Sequence, residues 1–501
     1  MPNNEKPYQG NHKATMEQVT AKAWPYPAYK DSGVECLGQV PEHWTVRRMA
    51  TVADIRVSNV DKHSKEGELP VRLCNYVDVY HNEQISADVP FMAGTAKREE
   101  IQKFRLALGD VLVTKDSEDW KDIGVPALVA YAADDLVCGY HLAMLRPQGK
   151  SLDGGYLSYA LRNQHVAWQC QVAAVGVTRY GLSQNAIKSM KIPLPPLSEQ
   201  TAIAHFLDHA TQRIQRHIQA KQKLIKLLEE QKQVIIHQAV TGQINVQTGQ
   251  PYPAYKDSGV EWLGKVPEHW GTGMVKRGYD IKLGKMLQTK PNSANDIEVS
   301  YLKAKDVQWF NVQPISGARM WASPGDIEQF SVSGGDLLVC EGGEGGRCGI
   351  LTGEVNGHII QNSLHRVRPR DGNSNAFLQY TMRAIAETGW FVALNNKATI
   401  AHFTYEKFGA LRIPFPSPPE QTAIANFLTH TTQRIEKHCA TVKRTINLLH
   451  EYRTRLIADV VTGKLDVREA AARLPQSDPL PTTANCQDGT ELAAPGRSPR
   501  P

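Results

Sequence analysis

Cysteines are few, and none of the eight forms a CxxC pair: Cys36, Cys74, Cys138, Cys170, Cys340, Cys348, Cys439 and Cys486 are scattered over 501 residues. Cys340 and Cys348 lie closest together, with no His or Cys partner at zinc-ligand spacing. Reduced thiols and a cytoplasmic protein are therefore expected. No run of about eighteen apolar residues occurs, so no membrane span is expected. The N-terminal MPNNEKPYQGNHKATMEQ lacks the apolar stretch of a signal peptide.

Signatures of catalysis are missing too. No GxGxxG opens a helix after a strand. CEGGEGGRCG at 340–349 is Gly-rich but lacks the Gly-Lys-Ser/Thr ending of a phosphate loop. His205, His209 and His217 are not in HExxH spacing. An adenine methyltransferase needs an Asn/Asp-Pro-Pro-aromatic motif, but Pro195-Pro196 and Pro418-Pro419 are followed by Leu197 and Glu420. No catalytic residue, cofactor or metal site is expected. The net charge of +6 tilts weakly toward a polyanionic partner.

What the chain does contain is a copy of itself. PYPAYKDSGVECLGQVPEHW at 25–44 returns as PYPAYKDSGVEWLGKVPEHW at 251–270, changed only at Cys36/Trp262 and Gln39/Lys265. GDVLVT at 109–114 matches GDLLVC at 335–340, and YHLAMLRP at 140–147 matches QNSLHRVRP at 361–369. KIPLPPLSEQTAIAHFLDHATQRIQ at 191–215 matches RIPFPSPPEQTAIANFLTHTTQRIE at 412–436, and the match runs on to VTG at 240–242 and 461–463. This is a tandem duplication of domain-sized units, with a period far above that of solenoids. The entry and EQTAI segments nearly match, whereas the stretches at about 45–190 and 271–411 agree only at frame positions.

The middles, with DVLVT, ALVAY, DLLVC and HRVRP, predict short strands of a mixed α/β domain. Each unit then ends in one long helix. Ser417, Pro418 and Glu420 suggest a capping box for the second, and Ser198 is the expected cap of the first. Gly242 and Gly463 are expected left-handed stops. Apolar residues recur every seven positions: Leu207, Ile214, Leu228 and Ile235 in one helix, and Leu428, Ile435, Val442, Leu449 and Leu456 in the other. Lys221 interrupts the first seam. Such seams predict paired helices, and antiparallel pairing suits a domain before each one.

These segments together resemble the specificity subunit of Type I restriction–modification enzymes over residues 23–463. The fold class implied is mixed α/β: two target recognition domains joined by two long antiparallel coiled-coil helices, with pseudo-two-fold symmetry. The expected boundaries are a flexible segment 1–22, recognition domain 23–196, helix 197–242, recognition domain 243–416, helix 417–463 and a disordered tail 464–501. The resemblance implies a non-catalytic subunit that binds a bipartite double-stranded DNA target. It implies two methyltransferase subunits as partners, and restriction/translocation ATPase subunits joining that core. The alternatives are a scaffold or decoy with two binding domains, or a stand-alone restriction enzyme or methyltransferase.

Base edges are read by polar side chains on loops, and phosphates by Lys and Arg. The candidates after the GD-x-LV strands are Lys115, Asp116, Trp120 and Lys121 in the first unit, and Glu341, Glu344 and Arg347 in the second. Before the exit segments they are Thr178, Arg179, Tyr180 and Gln184, and Asn395, Asn396, Lys397 and His402. Lys276 and Arg277 add a basic cluster. Each has an ordinary reading as a turn or a solvated face. The matching Glu199/Glu420, Gln200/Gln421 and Gln212-Arg213/Gln433-Arg434 are read as two equivalent docking surfaces for one partner.

Overall fold

The structure, a computed structural model, describes residues 24–149, 151–315, 317–353, 355, 357–391 and 403–475. The described residues fall into two compact units, the first within 1–219 and 446–501 and the second within 220–445. Two helices of 44 residues each, Leu197–Val240 and Pro418–Val461, contribute to both.

In the first unit a five-stranded mixed sheet runs in the order Ala53–Val57, Leu142–Pro147, Val111–Thr114, Pro126–Val129, Gln84–Ile85. A three-stranded sheet, Leu136–Cys138, Leu69–Cys74, Met92–Ala96, lies beside it in the chain's topology. The second unit repeats the plan. Its main sheet is Tyr279–Leu283, Leu364–Pro369, Leu337–Cys340, Cys348–Ile350, and its small sheet is Arg319–Ala322, Ile297–Leu302, His358–Ile360. The registers agree as well: Val111 faces Leu145 and Leu337 faces Val367.

The recurring GD and RP dipeptides have one physical cause. Asp110 is buried and accepts two bonds from Arg146, Nε at 2.8 Å and Nη2 at 2.7 Å. Asp336 accepts the same pair from Arg368 at 2.7 and 2.9 Å. Each carboxylate also takes a backbone N–H, from Ala107 at 2.8 Å or Ser333 at 2.9 Å. A buried charge needs this degree of pairing.

The repeated twenty residues form a clamp. A hairpin pairs Tyr29–Asp31 with Gln39–Pro41, and its copy pairs Tyr255–Asp257 with Lys265–Pro267. In the first unit Tyr26 Oη donates to the Glu199 carboxylate near the start of the first helix. Trp44 Nε1 donates to it at 3.0 Å, and His43 Nε2 lies 2.9 Å away. The same hairpin grips the end of the other helix, where Tyr29 Oη donates to the Gly463 carbonyl at 3.1 Å. In the second unit Tyr252 Oη donates to Glu420 at 2.6 Å, and Tyr255 Oη donates to the Gly242 carbonyl at 3.1 Å. Each unit therefore gathers one helix's first turn and the other helix's last turn, so the two helices run antiparallel through it.

This geometry corrects two expectations. The first helix starts at Leu197, so Ser198 lies inside it. The Pro196 carbonyl accepts the N–H groups of Glu199 at 2.9 Å and Gln200 at 3.0 Å. Pro418 does open the second helix, but the Glu420 carboxylate serves Tyr252 and His269 rather than a capping box. The second correction concerns docking. Glu199, Gln200 and Gln421 are buried. Gln200 bonds to Asp153 N–H and to the Ser151 and Pro195 carbonyls. Gln421 bonds to Ser374 N–H, Asn373 and the Pro416 carbonyl. These positions match because they lock each domain to its own helix. Of the repeated polar pairs, Gln212 and Gln433-Arg434 are exposed and Arg213 is half-exposed.

The seam residues Leu207, Ile214, Leu428, Ile435 and Leu456 are buried, whereas Leu228, Ile235, Val442 and Leu449 are half-buried. The difference follows from what covers them. Ile236, Ala239, Val240, Ile424 and Leu428 belong to the second unit's core, and Ile235 packs at its edge. Toward the helix middle, Lys221 is half-buried, and Lys232 Nζ bonds Glu436 Oε1 at 2.5 Å.

The Cys36/Trp262 change in the repeat is locally compensated. Buried Trp262 donates Nε1 to the Arg412 carbonyl at 3.1 Å. With Cys36 in that place, the Gln169 amide donates to the matching Lys191 carbonyl at 2.8 Å. Burial pushes the Cys36 thiol up, and Cys170 up to about 12. No group of three or more His, Cys, Asp or Glu that could hold a metal occurs among the described residues.

Candidate nucleic-acid interface

Three separate segments meet at the end of the GD-x-LV strand in each unit, held by the same backbone bonds. Lys115 N–H donates to the His141 carbonyl at 3.0 Å, and Leu182 N–H donates to the Lys115 carbonyl at 2.7 Å. In the second unit Glu341 N–H donates to the Ser363 carbonyl at 2.9 Å, and Phe403 N–H donates to the Glu341 carbonyl at 2.8 Å. The joint is thus one backbone structure carrying different side chains: Lys115 and His141 in one copy, Glu341 and Ser363 in the other.

In the first unit this joint unites the two loop regions singled out from the sequence. Asp116–Ser117 pairs antiparallel with Tyr180–Gly181. Val175 pairs with Gly181, which puts Thr178 and Arg179 at the tip of a tight turn, both exposed. Gly176 is required in that turn, since a Cβ there would lie 2.0 Å from the Arg179 carbonyl oxygen. Asp116 Oδ2 is shared by Lys115 Nζ at 2.8 Å and His141 Nδ1 at 2.5 Å. Burial pushes this carboxyl up, but the bonds from Lys115 and His141 outweigh it and hold the group below the usual range. Lys115 Nζ lies 5.4 Å over Tyr140, Lys121 Nζ lies 5.5 Å over Trp120, and both rings are well exposed. Gln184 serves the scaffold instead: its amide donates to the Ile55 carbonyl at 2.6 Å.

The second unit differs in chemistry. Glu344 is exposed and accepts from Trp309 Nε1 at 2.7 Å. Arg347 turns inward, donating to the Ala304 carbonyl at 3.0 Å and pairing with Glu344 at 3.3 Å. The glycines of this loop shape a turn: Gly343 and Gly346 have φ of 73° and 87°, and a Cβ on Gly346 would meet Phe391 at 2.7 Å. Lys276 and Arg277 are exposed on the one-turn helix Val275–Gly278. Asn395, Asn396, Lys397 and His402 lie outside the described residues.

Sequence reading missed His141, Tyr140 and Ser363. The signal was present: aligning YHLAMLRP with NSLHRVRP sets His141 against Ser363, a variable position beside a repeated strand.

Two copies of one α/β fold on paired helices, each with one joint of fixed backbone and variable side chains, define a duplicated modular scaffold. A family model, the Type I restriction modification DNA specificity domain, matches residues 41–226 and 270–444. The chain belongs to that family and is a Type I restriction–modification specificity subunit with two recognition domains. It is 23% identical over 441 residues to the "Putative type I restriction enzyme MjaX specificity subunit" of Methanocaldococcus jannaschii, spanning 86% of this chain and 96% of that protein. The MjaVIII specificity subunit of the same organism is 23% identical over 245 residues, 47% of this chain and 54% of that one. Among solved structures, the HsdS subunit of Thermoanaerobacter tengcongensis matches with TM-score 0.52 and 17% identity, over 85% of this chain and 98% of that one. A chain solved in work on assembly and conformational transition of the type I R-M system matches with TM-score 0.60 and 16% identity, over 84% and 98%.

Proposed function

We propose that each unit reads one half of a bipartite DNA target and that the paired helices hold the two readers at a set spacing. The joint supports this most directly, because its backbone is the same in both units while the chemistry it presents differs. Two readers with different side chains call for two different half-sites. In the first unit Lys115, Asp116, Trp120, Lys121, Thr178, Arg179 and Tyr180 form the reading surface, and Gln184 braces it. In the second, Glu341, Glu344, Lys276 and Arg277 contribute, together with Asn395, Asn396, Lys397 and His402, which precede the joint residue Phe403. Arg347 holds the Gly-rich turn.

The chain itself is non-catalytic in this reading. Two methyltransferase subunits dock on the helices, with Gln212-Arg213 and Gln433-Arg434 as equivalent contact points, and restriction/translocation ATPase subunits join that core. Helices of 44 residues span roughly 66 Å, enough to bridge half-sites about one helical turn of DNA, 34–36 Å, apart.

The test is to map methyladenine by single-molecule sequencing in a host expressing the methyltransferase with and without this chain. Methylation at one split motif, only when the chain is present, is the expected result. No new methylation, beside a methyltransferase active with another specificity subunit, would favour the decoy or scaffold alternative.

A further inference from the structure

Within the first joint, one non-glycine residue stands at positive φ. His141 has φ of 70°, and a non-glycine residue held in the left-handed region marks a site where the surroundings impose the shape. Its imidazole is fixed on both sides. Nδ1 lies 2.5 Å from Asp116 Oδ2, and Nε2 lies 3.4 Å from Arg179 Nη2. The Tyr140 ring covers it, with centroids 3.7 Å apart. In the neutral ring, a carboxylate on Nδ1 sets the tautomer: Nδ1 carries the proton and Nε2 offers a lone pair. That lone pair faces the guanidinium of Arg179, an exposed side chain at the tip of a turn that makes no other hydrogen bond among the described residues.

Resting on the DNA-reading function proposed above, we infer that Asp116, His141 and Arg179 form a relay that aims Arg179 at a guanine in the first half of the target. Arg179 donates its free N–H groups to guanine O6 and N7, the pairing that its fork geometry fits. His141 is the positioning residue. It limits the guanidinium's orientations before binding, so less freedom is lost when the base is met. The second unit has Ser363 at the matching position and no such relay among its described residues.

His141→Asn separates the roles. Asn is tolerated at positive φ, and its amide nitrogen can replace Nδ1 on Asp116, but it has no atom where Nε2 stood. The full chain with its methyltransferase subunits is titrated with duplexes in which each base pair of the split target is changed in turn. Arg179→Gln is expected to lower discrimination at one G·C pair of the first half about tenfold or more. His141→Asn lowers it at the same pair by a smaller factor, and both leave the second half as in the wild type. A uniform loss over all sequences from Arg179→Gln would make it a phosphate contact and overturn the inference. Discrimination unchanged in both variants would overturn it too, while leaving the wild type's DNA reading intact. A wild-type complex that does not discriminate sequences at all would overturn both.

Discussion

Alanine at Gly463 or Gly242 is expected to destabilise the protein by roughly 2–5 kcal/mol, the sum of left-handed backbone strain and overpacking. Both residues close a long helix at φ of 75° and 73°. A Cβ at Gly463 would lie 2.3 Å from Pro41 Cδ and 3.2 Å from the Trp44 ring, and one at Gly242 would lie 2.3 Å from Pro267 Cδ and 3.0 Å from the Trp270 ring. Neither proline nor tryptophan can yield, because both belong to the hairpin that also holds the Glu199 or Glu420 carboxylate. Urea unfolding of each variant checks this. Midpoints unchanged from the wild type would mean that the clamp does not set the helix ends.

A charge at the helix seam has a graded effect. Leu207 and Leu428 are fully buried, so Leu207→Asp or Leu428→Asp is expected to cost more than about 4 kcal/mol, through lost packing and an unpaired buried carboxylate. Leu228 and Leu449 are half-buried, and aspartate there costs nearer 1–2 kcal/mol each, in proportion to the apolar area lost. The Leu228→Asp, Leu449→Asp double variant should therefore stay folded at both units while losing the ability to discriminate targets by spacer length. Thermal unfolding, with binding to targets of altered spacer, separates the two effects. Wild-type spacer discrimination in the folded double variant would end the idea of the helices as a ruler.

Most of the architecture was legible because duplication doubles every signal. GD and RP recur since a buried Asp must be paired, and VTG recurs since only glycine fits beneath Pro41 or Pro267. The Leu and Ile spacing marked the helices for the same kind of reason: burial restricts the residue type. The docking reading failed on Glu199, Gln200 and Gln421. Polar residues on a helix look like surface, and nothing local reveals that Tyr26, Trp44 and Asp153 arrive from far along the chain to bury them. His141 was marked only as a position that differs between the two units, which does not say what it touches. Its significance lies in a contact across the joint with Arg179, and no spacing rule links two residues brought together by sheet pairing. The loop glycines at 342–346 shape a turn, and the position of Phe391 against Gly346 accounts for it.

Exchange of residues 271–411 for the corresponding stretch of another family member tests the modular account most directly. The repeated hairpin, the clamp at Gly242 and the EQTAI helix start all lie outside the exchanged stretch, and the pairing of Gly271–Met274 with Arg412–Phe415 runs through backbone atoms. Methyladenine mapping of the exchanged protein should show one half of the split motif replaced and the other half unchanged. Alteration of both halves, or of neither, would contradict the claim that each unit reads its own half-site.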